Sequence, residues 1–448
     1  MADSSAEAEV EVALGPLTHR RVLHIALPIV LSNATVPILG AVDTGVVGQL
    51  GEAAPIGAVG IGAIVITALY WIFGFLRMGT SGLAAQARGR RDRAELLALL
   101  TRTLLIGGAA GCALVALQGP IFWGAFRLSP ATSEVEALAR DYMGIRIFSA
   151  PAAIALFGVT GWLIALERTR AVLALQLWMN GVNIGLDLVF VLGLGWGVSG
   201  VALATLISEW SALGLGFWLC REALGDPRWR DWARVFDAPR LRQMVSVNTD
   251  ILIRTLLLEG AFVSFLFFGA DFGDVTLAAN QILIQFLHVT AHALDGFAFA
   301  AEALVGHALG ARARAALRRA ALLTSFWGLV TVTLLAAGFA ALGPWIIDVM
   351  TTAQPVRLEA RGYLGWMILA PFVGIAAWMF DGIFIGATRT RDMRNMMLVS
   401  FVAYVVAVAA LVPVFGNHGL WASLLVMFAV RGVTLGLKYP ALEAAAET

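Results

Sequence analysis

Ionisable side chains recur inside stretches of the chain that are otherwise apolar. Asp43 follows a run of small and aliphatic residues, and Asn183 and Asp187 lie four residues apart, on one face of a helix. Burial penalises the ionised form of a carboxyl group, and a second carboxyl group in the same cavity acts in the same direction. Such a residue can bind and release a proton near ambient pH. Asp43 and Asp187 are therefore candidates for proton coupling, with a capped, purely structural carboxylate as the alternative.

A second set of charges lies in the other half of the chain. Arg254 and Glu259 are five residues apart, a poor helical pair, whereas Asp295 and Glu302 are seven apart and share a face. An arginine in hydrocarbon is hard to sustain without a carboxylate. We therefore expect Arg254 to be buried and to pair with at least one of Asp295, Glu302 or Asp381. A structural ion network and a direct contact with substrate both remain open for this set.

The composition explains why these charges matter. Apolar residues make up 59% of the 448 residues and charged residues 14%, and the mean hydropathy is +0.82. Soluble globular proteins have about 45–50% apolar and about 25% charged residues. One aqueous core cannot hide this excess, because single cores stop growing near ~250–300 residues. The sequence predicts an all-α integral membrane protein, and its net charge of +1 does not favour a nucleic-acid partner.

The elements that must position these side chains are helices of about twenty mostly apolar residues, the length that spans a bilayer. Twelve such spans follow one another, at 22–48, 54–87, 95–122, 135–166, 171–193, 198–221, 243–270, 275–309, 317–348, 358–387, 394–415 and 418–438. Arginines concentrate in the loop after every second span, and the intervening loops are nearly free of them. Since short cytoplasmic loops accumulate Lys and Arg, both termini are predicted to be cytoplasmic.

An internal repeat divides the chain into halves. GWLIALERTR (161–170) matches GIFIGATRTR (382–391) at an offset of 221, and AAQARG (84–89) resembles GHALGA (306–311) one residue out of step. An even number of spans separates the copies, so the halves have parallel topology, with a transport site expected between them. The predicted organisation is a cytoplasmic tail (1–21), an N-lobe (22–221), a cytoplasmic linker (222–242), a C-lobe (243–438) and a C-terminal tail (439–448).

Two further features concern helix geometry. Pro28 lies within the first span, where a proline removes a backbone hydrogen bond and permits either an inert bend or a hinge. Glu209 and Arg431 lie at nearly matching places in the sixth and twelfth spans, and we expect each to tie neighbouring helices together.

Several of these motifs together resemble one transporter family. Pro28 precedes V-D-T at 42–44, N-x-x-x-D occupies 183–187, and the second half contains ALDGFAFAAEALVGHALGAR (293–312) and DGIFIGATRTRDMRN (381–395). The chain resembles the multidrug and toxic compound extrusion (MATE) family, and in particular its DNA-damage-inducible F (DinF) branch, over all twelve spans. The resemblance implies two six-helix bundles in a V shape and antiport of drugs against H⁺ or Na⁺.

The resemblance also implies roles for individual residues. Asp43 matches the carboxylate of the first helix, with Asn183 and Asp187 as its partners, and Tyr142 and Thr205 match further polar members of that network. Pro28 matches the proline at which the first helix bends in some members. Glu259 falls where another branch has a carboxylate of a proposed sodium site, while the DinF branch more often has glutamine there.

The expected function is secondary active efflux of amphipathic, often cationic drugs or toxins in exchange for H⁺. We expect the protein to act as a monomer among the lipids of a bacterial cytoplasmic membrane, without a cofactor or a metal. Alternatives are a Na⁺-coupled drug antiporter, a channel, and a lipid-linked sugar flippase, although flippases usually have a more basic cavity than Arg77 and Arg146 would provide. No ATP-binding motif and no cluster of catalytic residues is visible, so an ion gradient is the expected energy source and an enzyme is not expected.

Overall fold

The computed structural model describes residues 15–49, 53–128 and 132–447. Within these ranges the description excludes the side chains of Ile38, Ala41, Asp43, Thr44, Ala53 and Leu128. The described residues form helices and short connections and contain no strand, which confirms the all-α prediction.

The helices of the described residues are numbered in chain order. They are α1 His19–Ala34, α2 Val36–Gly48, α3 Ala53–Trp71, α4 Phe75–Gly89, α5 Arg93–Ala116, α6 Gln118–Leu128, α7 Ser133–Arg146, α8 Ala150–Ala165, α9 Thr169–Asp187, α10 Gly197–Leu219, α11 Arg221–Leu224, α12 Trp232–Val235, α13 Ala238–Ala270, α14 Asp274–Gly310, α15 Arg314–Met350, α16 Gln354–Gly386, α17 Thr390–Phe415 and α18 Asn417–Ala444. Short 3₁₀ turns occupy Ile72–Gly74, Ile147–Ser149 and Pro227–Arg230, and a π-helix occupies Leu188–Gly193.

Eleven helical stretches in the described part of the chain are long and apolar enough to cross a membrane. They match the second to the twelfth predicted spans. The first predicted span, 22–48, corresponds to α1 and α2, which have 16 and 13 residues. The chain is therefore a multi-pass membrane protein with the predicted order of spans, and its first span is broken.

The break in the first span lies at Thr35 and not at the proline singled out from the sequence. Helix α1 runs through Pro28 without interruption, and α2 begins with Pro37 in its first turn. Pro37 has no N–H, and its ring crowds the carbonyl four residues earlier, that of Asn33. The backbone turns more tightly just before it, where Thr35 N donates to Ser32 O at 3.1 Å.

The two halves repeat the same close helix contact. A Cβ atom added to Gly161 in α8 would lie 2.3 Å from Arg77 O in α4, and one added to Gly382 in α16 would lie 2.3 Å from Ala298 O in α14. Each residue of the second pair lies 221 positions after its counterpart. Glycine is required at both positions because the neighbouring backbone occupies the space of a side chain.

The turns between helices repeat as well. Four non-glycine residues of the described chain have positive φ, and they form two pairs separated by the same 221 positions: Arg91 (56°) with Arg312 (56°), and Glu167 (59°) with Thr388 (50°). Each of these turns directly follows a helix of the repeat, α4, α14, α8 or α16. The predicted internal repeat is thus present in the backbone itself.

The chain divides into two compact units. The first unit contains 31–84 and 92–242, and the second contains the described residues up to Val30, 85–91 and 243 onwards. Two segments that the sequence placed in the N-lobe, 22–30 and 85–91, therefore pack within the second unit.

Close backbone packing explains the position of the end of α4. A Cβ atom on Gly89 would lie 2.1 Å from His307 O, and one on Gly310 would lie 2.2 Å from Gln86 O. Gln86 Nε2 also donates to Gly386 O at 3.0 Å. Gly89 and Gly310 are 221 residues apart, as are Gln86 and His307. The two segments therefore match in register, and the one-residue displacement inferred from their sequences was wrong.

The connection between α10 and α13 is bound along α5, inside the first unit. Arg102 donates to Val235 O at 2.8 Å and to Glu95 Oε1 at 2.6 Å. Thr101 Oγ1 donates to Trp229 O at 2.9 Å. Helix α13 begins at Ala238, five residues before the predicted start of the seventh span. Side chains of α5 thus hold this connection in place.

Candidate functional site

Helix α9 has a polar face made of Gln176, Asn180, Asn183 and Asp187. Their spacing of four, three and four residues places them in one row along the helix. Asn183 and Asp187 are fully buried, at 0% exposure, and Asn180 is also buried. Buried polar groups need hydrogen-bond partners, so this row defines a polar site within an apolar unit.

Thr205 in α10 orients the amide of Asn183. The Thr205 hydroxyl donates to Val201 O in its own helix at 3.0 Å, and its oxygen accepts from Asn183 Nδ2 at 2.9 Å. Because the hydroxyl proton is directed to Val201, the oxygen faces Asn183 as an acceptor. The structure thus brings together two members of the predicted network, Asn183 and Thr205, beside Asp187 on the same helix.

Asp187 ends the regular part of α9. The π-helix Leu188–Gly193 follows it, and the wider turns continue with Trp196 N donating to Phe190 O at 2.9 Å. Single π-helical turns occur frequently at functional sites, because the inserted residue changes the direction of the side chains around it. No residue pattern at 188–193 had predicted this change in helix type.

Tyr142 lies on α7, and its buried ring packs against α3 of the same unit. A Cβ atom on Gly62 of α3 would lie 2.5 Å from Tyr142 Cδ1, so glycine leaves room for the ring. The carboxylate of Asp43 belongs to the side chains outside the description, and the structure gives only its place on α2.

A separate group of charges in the same unit is internally neutralised. Arg146 of α7 donates to both carboxylate oxygens of Glu209 in α10, at 2.8 and 3.3 Å, and to Ser149 Oγ at 2.7 Å. Tyr70 Oη donates to Arg146 O at 2.8 Å. Two parallel bonds between a guanidinium and a carboxylate fix both side chains. Glu209 therefore ties α10 to α7, as expected of it.

The second unit contains an arginine cluster made of Arg254, Asp381 and Arg431. Arg254 of α13 and Arg431 of α18 both donate to Asp381 Oδ2 in α16, and all three side chains are buried. The expected pairing of Arg254 with one of three carboxylates is confirmed, and Asp381 is that carboxylate. Arg431 also joins two helices as expected, since its bond to Asp381 connects α18 to α16.

The other candidates of the second unit differ in their exposure. Glu302 is buried on α14, Asp295 on the same helix is half-buried, and Glu259 on α13 is exposed. Among the residues that the structure describes, no group of three or more His, Cys, Asp or Glu side chains could hold a metal ion.

Comparison with known proteins identifies the family. The model of the MatE family matches two stretches of the chain, residues 28–189 and 251–411, which together are well over half of it. The chain belongs to the MatE family. This is a family of membrane transporters, and the two matched stretches correspond to the two predicted repeats.

Individual MatE relatives agree with this assignment. The chain is 38% identical to DNA damage-inducible protein F of Escherichia coli, covering 92% of this chain and 90% of that one, which confirms the predicted branch. It is 28% identical to a probable multidrug resistance protein NorM of Bradyrhizobium diazoefficiens, over 70% of this chain and 68% of that one. Its fold resembles a crystal structure of the MATE transporter VcmN of Vibrio cholerae, with a TM-score of 0.85, 18% identity and 99% of both chains covered.

Sequence reasoning missed part of the polar face of α9. Asn180 was not singled out, although it precedes Asp187 by seven residues and therefore lies on the same helix face. Gln176, four residues earlier, continues the same row. Thr35 was missed as well. It lies between α1 and α2, and the signal that could have located this interruption is Pro37 in the first turn of α2.

Proposed function

We propose that this MatE protein is a secondary active antiporter that exports amphipathic, often cationic organic compounds in exchange for protons. Its relatives support this proposal, since one is a probable multidrug resistance protein and the fold matches a MATE transporter. The arginine-rich loops support a bacterial cytoplasmic membrane with both termini inside the cell. We further propose that the protein works as a monomer built from two homologous halves of the sequence, 22–221 and 243–438.

The observation that carries the proposal is the polar face of α9. Asp187 is fully buried at its end, and the neighbouring groups on that face are neutral amides. An ionised carboxylate in the membrane interior costs at least about 2.5–3.5 kcal/mol, and protonation removes that cost. Neutral amides and hydroxyls can then rotate to accept or donate, so both protonation states can be accommodated.

The same carboxylate can bind an organic cation. A cationic substrate and a proton both neutralise it, so binding of one favours release of the other, by the same coupling free energy in both directions. We assign Asp187 and Asp43 as the coupling carboxylates, with Asn183, Thr205 and Tyr142 as their polar partners. Asp43 lies on α2, which packs against α9.

For the arginine cluster of the second unit we propose a structural role. Both arginines already donate to Asp381, and a carboxylate that binds two guanidinium groups is held in its ionised form. Glu302 and Asp295 would belong to the same network. Exposed Glu259 is the candidate for a sodium site if coupling by protons fails the test below.

The experiment is transport into proteoliposomes containing the purified protein, with a fluorescent lipophilic cation as substrate. A pH gradient alone should drive accumulation, and a sodium gradient alone should not. Asp187→Asn and Asp43→Asn should each reduce accumulation to the level of empty liposomes. Asp348→Asn is the matched control, since it removes an equally charged carboxylate from an exposed ion pair with Arg361.

Accumulation under the sodium gradient alone would contradict proton coupling. Normal accumulation by Asp187→Asn under a pH gradient would show that this carboxylate is not part of the coupling site. Downhill flux without any accumulation in the wild-type protein would indicate a channel.

A further inference from the structure

We propose that Asn180 is a positioning residue that sets where the first span bends, and that this bend lies at Thr35. The inference rests on the proposed antiport, because it describes how the polar face of α9 connects to the helix that carries Asp43. It concerns a second position in the first span, because the sequence analysis considered only Pro28, as an inert bend or a hinge, and α1 is continuous through Pro28.

The hydroxyl of Thr35 is the centre of the contact. It donates to Ser32 O at 2.7 Å, and its oxygen accepts from Asn180 Nδ2 at 2.8 Å. The other end of the Asn180 amide is also bound, since its Oδ1 accepts from Gln176 Nε2 at 3.0 Å. One amide therefore links the interrupted backbone of the first span to two turns of α9.

The interruption needs such a link. Pro37 cannot donate to the carbonyl four residues before it, so the helical hydrogen-bond ladder is broken where α1 ends and α2 begins. Sharp helix kinks occur at prolines, and a helix without that bond can bend in several directions. The bond from buried Asn180 to Thr35 fixes one of these directions.

The position of Asn180 connects this bend to the proposed coupling site. It lies three residues before Asn183 and seven before Asp187, on the same face of α9. Asp43 lies eight residues beyond Thr35, on α2, which packs against α9. The direction of the bend at Thr35 therefore determines where the backbone that carries Asp43 lies along the polar face of α9.

Four variants test the role of this contact in transport. Asn180→Leu and Thr35→Val keep the shape and remove the hydrogen bond, whereas Thr35→Ser keeps the hydroxyl. The first two should lower the maximal rate of proton-driven efflux about fivefold, the size expected for one buried neutral hydrogen bond, with an unchanged KM. Thr35→Ser should restore the rate. Trp178→Phe is the matched control, because it removes a side-chain hydrogen bond of α9 to Ser211 on an exposed face.

A distance across the break tests its position directly. Spin labels at Arg20→Cys and Gln49→Cys, both exposed, are introduced into a protein with Cys112→Ala and Cys220→Ala, so that Pro28 and Thr35 both lie between the labels. A straight helix would separate these positions by roughly 44 Å, and a bend shortens that distance. Asn180→Leu should broaden the distance distribution, and Pro37→Ala should move it towards the straight value. Pro28→Ala should leave it unchanged.

Two results would overturn the inference: equal rates for Thr35→Val and Thr35→Ser, or a label distance that responds to Pro28→Ala but not to Asn180→Leu. Failure here is separable from failure of the proposed function. If Asp187→Asn abolishes proton-driven efflux while Asn180→Leu pumps normally, only the inference about Asn180 is wrong.

Discussion

The polar face of α9 and the arginine cluster solve the problem of buried polarity in opposite ways. On α9, one carboxyl group, that of Asp187, shares its face with the amides of Gln176, Asn180 and Asn183. In the cluster, Asp381 receives two guanidinium groups. Amides and hydroxyls tolerate a change in the charge of their neighbour, because they can both donate and accept. Guanidinium groups are positively charged, so they favour the ionised form of the carboxylate.

This difference assigns distinct tasks to two regions built on one repeated backbone. The halves share the contact made by Gly161 and Gly382 and the paired turns with positive φ, but their buried charges are arranged differently. A site that must gain and lose a proton is better placed among neutral partners. A site that must hold helices together is better placed among fixed charges.

The largest effect should follow from Asp381→Asn. The substitution leaves Arg254 and Arg431 buried without their shared carboxylate, and breaking a buried ion pair in this way costs about 3–5 kcal/mol. We expect a large fall in the yield of folded protein and in the thermal unfolding temperature, measured in detergent. Asp187→Asn should leave both nearly unchanged while it abolishes transport. Equal stability of the two variants would remove the contrast between the two regions.

The repeated backbone should make two glycine substitutions equally costly. Gly161→Ala and Gly382→Ala each place a Cβ atom 2.3 Å from a carbonyl oxygen, so a helix must shift in either case. Overpacking of this kind typically costs about 1–3 kcal/mol. Thermal unfolding should show similar decreases for both variants, and Gly144→Ala, where nothing lies within 4 Å, should show none. If only one of the two variants had a lower unfolding temperature, the two glycine contacts would not contribute equally to stability.

A smaller effect is expected from Thr205→Val. The variant loses the acceptor for Asn183 Nδ2 and the donor to Val201 O, but it keeps the shape of the side chain. The loss of this acceptor should cost about 1 kcal/mol and slow proton-driven efflux several-fold, because Asn183 is no longer oriented. Thr205→Ser should retain most of the rate. If valine and serine behave alike in the transport assay, the hydroxyl has no role in the site.

The smallest effect is expected outside the membrane-spanning segments, at Asp226. Hydrogen bonds from Arg228 lower the pKa of Asp226 to about 2. A lowered pKa means that its stabilising contribution is present above the ordinary range of aspartate and is lost as pH falls towards 2. Between pH 5 and 8 its charge is constant. Asp226→Asn should therefore leave the shape of the pH profile of efflux unchanged and lower the unfolding temperature by less than about 2 °C. A shifted profile would mean that protons also act at this connection.

The sequence predicted the spans because hydropathy and loop charge are local properties. The pairing of Arg254 was predictable as well, since the cost of a buried arginine leaves few acceptable partners. The break of the first span at Thr35 was not predicted, because the chain has two prolines there and only Pro28 was interpreted, as an inert bend or a hinge. Pro28 is tolerated within α1, whereas the helix ends three residues before Pro37. Which proline interrupts a helix depends on the side chains packed beside it, such as Asn180 at Thr35.

Other features could not be predicted because they depend on contacts between distant segments. The described residues before Leu31 and those at 85–91 belong to the second unit, although they precede its main part by more than 150 residues. The partnership of Asp381 with both arginines also joins three helices. Neither spacing nor composition specifies such contacts, and the site around Asp43 remains a prediction because its side chain is outside the described part.

The crossing of Gly89 and Gly310 has a consequence for biosynthesis. The end of α4 packs against the end of α14, so its native neighbour is made 221 residues later. At about 5–20 residues per second, a ribosome needs roughly 10–45 s to reach that point. During this interval α4 is in the bilayer, but the helix that packs against its Gly89 has not yet been synthesised. Insertion of the first half can therefore be complete well before its folding is, because α4 acquires its native neighbour only when α14 has been synthesised.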